Sequence, residues 1–222
     1  MKRLLGGLVA LLACPCLAQA GEEPTLESFY AANPAGLFQG ASPQALTVGF
    51  LSNDEVPYQS WKGQVGERHV YVELHGDEWR IHVGSRRYRG KLSRALRTAE
   101  TQVSELDPRD TSLYVSPAPD RLGQHVLCLA SLPQNMSRGR DDMSVYIITS
   151  LHTKPIIHQA PPVNASCRGL VRDAQGHIDV PVWSQVGKPA TTYDIHYIRL
   201  TRAGFIRADR ATQRIRLKAA SN

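Results

Sequence analysis

The sequence predicts an α+β domain: mainly antiparallel β-sheet, with one packed amphipathic helix and a short N-terminal helix. Three observations carry that prediction. From His69 to Val83, polar and apolar residues alternate without a break around Gly76-Asp77, the period of a strand pair with one buried face. Residues 124–132 and 143–151 are nearly continuous apolar runs, as expected of central strands covered on both faces. Leu92, Ala95, Leu96, Ala99, Val103 and Leu106 recur at three- and four-residue spacing, the stripe of an amphipathic helix.

Met1-Lys2-Arg3 precedes an apolar run from Leu4 to Ala13, and Ala18-Gln19-Ala20 supplies the small residues that a signal peptidase reads. Residues 1–20 therefore read as a signal peptide cut before Gly21, with 21–222 as a single exported, periplasmic domain. The apolar run is too short for a permanent anchor, which takes roughly 20 residues. Leu11-Leu12-Ala13-Cys14 loosely resembles a lipoprotein box, but the bulky Leu12 and the early position favour the later cut. Once the signal is gone, Cys128 and Cys167 are the cysteines that remain. In an oxidising compartment they are expected to form a disulfide. A loop of that length makes the bridge worth about 4 kcal/mol in the chain-entropy picture.

The elements follow in order. Thr25 caps a short helix that runs through Ala32 and stops at Asn33-Pro34. Strands are expected at 45–51 and 58–65, then comes the 69–83 hairpin. The basic stretch 85–90 leads into a helix over 92–106, with Ser93 as its cap and Asp107-Pro108 as its stop. A brief strand at 113–115 precedes the two buried strands, which are joined by an exposed loop at 133–142. Residues 155–163 are Pro-rich and extended. A second hairpin joins 167–172 to 177–183 around Asp173-Ala174-Gln175-Gly176, and a third pairs 191–201 with 205–208. Finally, 214–218 alternates as an edge strand with a basic outer row, which also blocks edge-to-edge aggregation.

The net charge of +6 falls to +4 when Lys2 and Arg3 depart with the signal. Residues 21–61 hold several acids and no Lys or Arg. The cations gather in two stretches, Arg86 to Arg97 and Arg199 to Lys218. Such patches suit anionic partners. For an exported chain, an acidic protein, peptidoglycan or anionic lipid ranks ahead of nucleic acid.

A two-residue turn with Gly first is the type II′ signature. It sets His75 opposite Glu78, Glu73 opposite Arg80 and Tyr71 opposite His82. Two His and a Glu on adjacent strands are zinc-ligand types, but the Arg80 guanidinium opposite Glu73 makes an ion pair the simpler use, so no metal is expected. Asp173 and Asp179 flank a Gly turn, yet calcium requires about six to eight oxygens, so a hairpin turn is expected there. The chain has no G-x-S-x-G, no HExxH, no phosphate-cradling Gly loop and no dinucleotide fingerprint. No catalytic residue and no cofactor are predicted, and no known family is recognisable in these motifs.

The expected function is that of an exported, non-catalytic binding protein, an inhibitor or immunity protein that binds another envelope protein. Its candidate contacts are Tyr71, Glu73, His75, Glu78, Arg80 and His82 on the hairpin, with Arg199, Arg214 and Arg216 on the C-terminal ribbon. Two alternatives accompany it: an envelope module holding peptidoglycan or anionic lipid on the basic patches, and a metal-dependent envelope hydrolase built on the hairpin histidines.

Overall fold

The computed structural model describes residues 23–50, 57–99, 101, 106–107, 110–119, 124–131, 143–188 and 191–218. The signal-peptide reading, the 133–142 loop and most of 100–105 lie outside them. Three five-stranded antiparallel sheets make up the fold.

The first sheet is a meander of β2 (Thr47–Phe50), β3 (Pro57–Val65), β4 (Arg68–His75), β5 (Glu78–Val83) and β6 (Arg86–Lys91), in that spatial order. The second has the order β1 (Gln44–Ala45), β7 (Ser112–Val115), β8 (Leu127–Ser131), β9 (Ser144–Thr149) and β10 (Ile156–Gln159). In the third, β11 (Val171–Arg172) pairs β12 (Ile178–Gln185), which pairs the long β13 (Thr192–Thr201). β14 (Gly204–Arg207) and β15 (Gln213–Arg216) share the far edge of β13, one along each half.

Side-chain alternation stacks these sheets in three layers. Val70, Val72, Leu74, Trp79, Ile81 and Val83 of the first sheet pack against Leu127, Leu129, Tyr146 and Ile148 of the second. The intervening residues, Cys128, Ala130, Val145 and Ile147, face the other way and meet Val180, Ile198, Leu200 and Phe205 of the third. The middle strands are therefore covered on both sides, which is why their sequences are apolar at every step. On the far side of the third sheet, Trp183, Ile195 and Tyr197 are capped by α1 (Leu26–Ala31) through Tyr30 and Phe29. Thr25 caps α1 by accepting from Ser28 N. The Trp183 indole donates to Tyr30 Oη at 2.8 Å, and that hydroxyl donates to Asn164 O at 2.8 Å.

Cys128 in β8 and Cys167, in a 3-10 turn ahead of β11, form a fully buried disulfide across the second core. Such a bridge fits an exported protein. Among the described residues, no helix is long and apolar enough to cross a membrane.

The α+β prediction is overturned, because the described residues contain no packed amphipathic helix and the fold is essentially all-β. Where a helix was expected over 92–106, one 3-10 turn (Leu92–Arg94) gives way at Ala95 to extended backbone, φ −59° and ψ 144°. Two hydrogen-bonding partners drive this. Asp77 in the hairpin turn accepts from Ser93 N and Ser93 Oγ, both at 2.6 Å, and its own carbonyl accepts from Leu92 N. Leu96 then pairs in parallel with His158: its N–H donates to Ile157 O and its C=O accepts from Gln159 N, each at 2.8 Å. Backbone groups at Leu96 that an α-helix would use internally are thereby committed to the edge of the middle sheet. Leu92, Ala95 and Leu106 are buried, but Leu96 is half-buried and Ala99 exposed, so the described part of the stripe does not form one apolar face.

The basic stretch ahead of that segment is also regular: it is β6, paired with β5 in register from Val83↔Arg86 to Glu78↔Lys91. Its turn, Gly84-Ser85, begins with a glycine at φ 59°, as the β4–β5 turn begins with Gly76 at φ 55°.

Candidate functional site

The outer face of the first sheet is built by alternation alone. The register of β4 and β5 is the one expected from the turn: His75↔Glu78, Glu73↔Arg80 and Tyr71↔His82. The same rule brings Tyr58, Ser60 and Lys62 of β3 opposite His75, Glu73 and Tyr71, and Arg87, Arg89 and Lys91 of β6 opposite His82, Arg80 and Glu78. The six hairpin residues singled out in the sequence thus lie together, and three further polar or charged side chains join them on each flank: Tyr58, Ser60 and Lys62 from β3, and Arg87, Arg89 and Lys91 from β6. The signal for the β6 residues was present in Gly84-Ser85, a second turn with glycine first, but the stretch lacks an apolar alternation.

Local contacts order the centre of this face. Arg80 Nη1 lies 2.9 Å from Glu73 Oε1, with the Arg80 side chain 52% exposed. At that exposure the pair contributes under about 1 kcal/mol. Tyr71 Oη donates to Glu73 Oε2 at 2.9 Å, and its ring lies 5.5 Å from that of His82. Partial burial, and then the Glu73 carboxylate, push the Tyr71 phenol above its ordinary value. The strand geometry gives this face five cations (Lys62, Arg80, Arg87, Arg89 and Lys91) against two carboxylates (Glu73 and Glu78). Among the described residues, no carboxylate is within ion-pair distance of Lys62, Arg87, Arg89 or Lys91. Arg89 faces another cation, Arg80, across the strands. Like charges opposed in this way are destabilising.

The C-terminal ribbon is different. Arg199, Arg214 and Arg216 lie on the third sheet, separated from the hairpin face by the middle layer. Each is engaged. Arg214 grips Asp194 with Nε at 2.7 Å and Nη2 at 2.9 Å, and this hydrogen-bonded pairing holds the Asp194 carboxyl below its ordinary value. Arg216 Nε pairs with Glu23 at 2.9 Å. Arg199 Nε reaches Asp179 Oδ1 at 2.9 Å while its Nη2 reaches Asp173 Oδ2 at 2.7 Å.

Asp179 is fully buried, and it also accepts from Arg210 Nε at 2.6 Å. Arg210 lies over the Tyr197 ring, 5.2 Å from its centroid. The loop that loosely suggested calcium uses its acids in this network, as a hairpin turn. Asp173 accepts from His177 N and lies 2.8 Å from His177 Nδ1. Burial opposes the charged form of Asp173, but those bonds and the nearby His177 and Arg199 charges hold its carboxyl below the ordinary range. Arg199, Arg210, Arg214 and Arg216 are therefore neutralised by acids on other elements, whereas on the first sheet's outer face only Arg80, among the described residues, has such a partner.

No three His, Cys, Asp or Glu side chains converge to hold a metal ion among the described residues. Comparison with known proteins returns no matching family model, no matching curated protein and no matching solved structure.

Proposed function

We propose that this chain is an exported, periplasmic binding protein without catalytic chemistry, and that it docks another envelope protein on the outer face of its first sheet. An inhibitor or immunity protein is the best fit of that description. The observation that carries the reading is the imbalance on that face: five cations against two carboxylates, next to half-buried Tyr71 and Tyr58 on a five-stranded support. Tyr and Arg are enriched at protein interfaces, where Tyr supplies large contact area at low entropic cost and Arg supplies directed charge. Cations in excess on such a face steer an acidic partner and set its orientation. The contact surface is correspondingly narrowed: Arg199, Arg214 and Arg216 support the third sheet through their own ion pairs.

The test is capture from envelope extract with three versions of the full mature chain. The wild type and a ribbon variant, Arg214→Gln/Arg216→Gln, are expected to retain the same protein. An outer-face variant, Lys62→Glu/Arg80→Glu, is expected to lose it. Retention by all three, or no specific protein with the wild type, removes the reading. A second reading, anionic lipid or peptidoglycan held by the same cation-rich face, predicts instead retention on anionic vesicles or sacculi that disappears as salt rises.

A further inference from the structure

We infer that the edge of β6 is a docking rail for an extended acidic segment of the partner, which adds to the first sheet as a sixth strand. This rests on the protein-binding reading above and states which part of the face does the recognising.

Val83 and Arg86 flank a two-residue turn and are paired, so they exchange the first pair of backbone hydrogen bonds. Alternation then makes Ile81–Tyr88 and Trp79–Gly90 the next bonded pairs. The backbone N–H and C=O groups of Arg87, Arg89 and Lys91 consequently point away from β5, toward the open side. β6 is the last strand of its sheet. Among the described residues, no backbone group of another element reaches these three. The side chains of the same three residues all project from the outer face, beside His82, Arg80 and Glu78. Free backbone groups and cations therefore coincide, residue by residue, at a repeat of about 7 Å.

An added strand reads both properties at once. Its backbone would bond to Arg87, Arg89 and Lys91, and any acid directly opposite each would lie about 5 Å away at Cβ. Asp or Glu at every second position matches the rail. A second copy of β6 does not, because it would oppose cation to cation, so the same residues that bar self-association select for an acidic partner. The inner side of β6 is already fixed: Arg86 Nη1 donates to His152 O and Tyr88 Oη donates to Thr153 O, both at 2.6 Å. These bonds tie the inner row of β6 to residues 152–153 and leave its outer row unencumbered.

The experiment measures binding of labelled eight-residue peptides to the full mature chain by fluorescence anisotropy at low salt. The probes are an alternating Thr-Glu peptide, a block peptide of four Thr then four Glu, and alternating peptides N-methylated at every Glu or at every Thr. The alternating peptide is expected to bind at least tenfold more tightly than the block peptide. Methylation at Glu should abolish binding, and methylation at Thr should be tolerated. Arg87→Thr/Arg89→Thr, which keeps strand-forming residues on the edge, should weaken binding at least tenfold while its far-ultraviolet spectrum stays that of the wild type. Amide exchange over 86–91 should slow when the alternating peptide is bound. Equal affinity for alternating and block peptides, or indifference to methylation, overturns the rail while leaving the protein-binding reading in place. Retention on phosphatidylglycerol vesicles without any peptide binding overturns both.

Discussion

His158 is predicted to make this fold acid-sensitive in a defined window. It lies on β10, 1% exposed, on the side of the middle sheet that faces the third, with its ring 5.7 Å from that of Phe205. Thr149 Oγ1 stands 3.5 Å from Nε2, at the limit of a hydrogen bond. Burial lowers its pKa from 6.5 to about 4, because a charge there has nothing to replace water. A folded-state pKa below the unfolded value means that the unfolded chain binds the proton first. The contribution of neutral His158 is thus complete above pH 6.5, declines as pH falls, and is gone near pH 4. A shift of this size corresponds to about 3 kcal/mol in all, of which roughly 2 kcal/mol is lost by pH 5. The assay is urea unfolding at pH 7, 6 and 5 for the wild type and His158→Met, which fills the site without titrating. The wild type should lose most of that 2 kcal/mol between pH 7 and 5, and the variant should lose little. Asp173 and Asp194, both held low, release their contributions at lower pH than this interval. An equal loss in both proteins would refute the assignment.

Three other outcomes are expected. Asp179→Ala should cost about 3 kcal/mol, since it strands Arg210 without the carboxylate it grips; adding Arg210→Met should recover part of that, as a double-mutant cycle by thermal unfolding would report. Gly90→Val should destabilise by about 2 kcal/mol and shift tryptophan emission, because a Cβ there would stand 2.5 Å from the Trp79 ring. Cys128→Ala/Cys167→Ala should lower stability by up to about 4 kcal/mol in urea, given the 39-residue separation the bridge closes, and the variant should be unaffected by reductant.

What could be read in the sequence was what depends on local rules. The β4–β5 register follows from one glycine-first turn and a two-residue period, and the middle strands follow from uninterrupted apolar runs. The 92–106 stripe misled because three- and four-residue spacing of apolar residues can arise without a helix: Leu92 and Ala95 are buried at the end of a 3-10 turn, while Leu96 is half-buried on an extended segment and Ala99 is exposed. The choice between helix and extended segment was made by Asp77 and by the edge at His158, neither of which is visible from within the segment. β6 was hidden for a different reason. Its inward positions are Arg86, Tyr88 and Gly90, and the apolar surface that a strand would normally show at Gly90 is provided by Trp79 from across the ladder. The ribbon looked like a cationic patch because Asp179 and Asp194 lie a hairpin away from the arginines that neutralise them. The candidate face was therefore half legible: its centre could be read from the hairpin, its β6 edge could not.

The order of strands along the chain also has a developmental meaning. β1, at Gln44–Ala45, and β7, at Ser112–Val115, are neighbours in the middle sheet. Everything that forms the first sheet is spun out between them as one uninterrupted excursion, each strand pairing with its predecessor. Such a meander has short-range connectivity and is expected to assemble early and quickly. It also divides labour cleanly by parity. Inward residues of the excursion are constrained by the middle layer, while outward residues answer only to solvent and to whatever docks there. A lineage could rewrite the entire recognition surface by changing every second residue of one contiguous segment, without disturbing the disulfide-tied layers behind it.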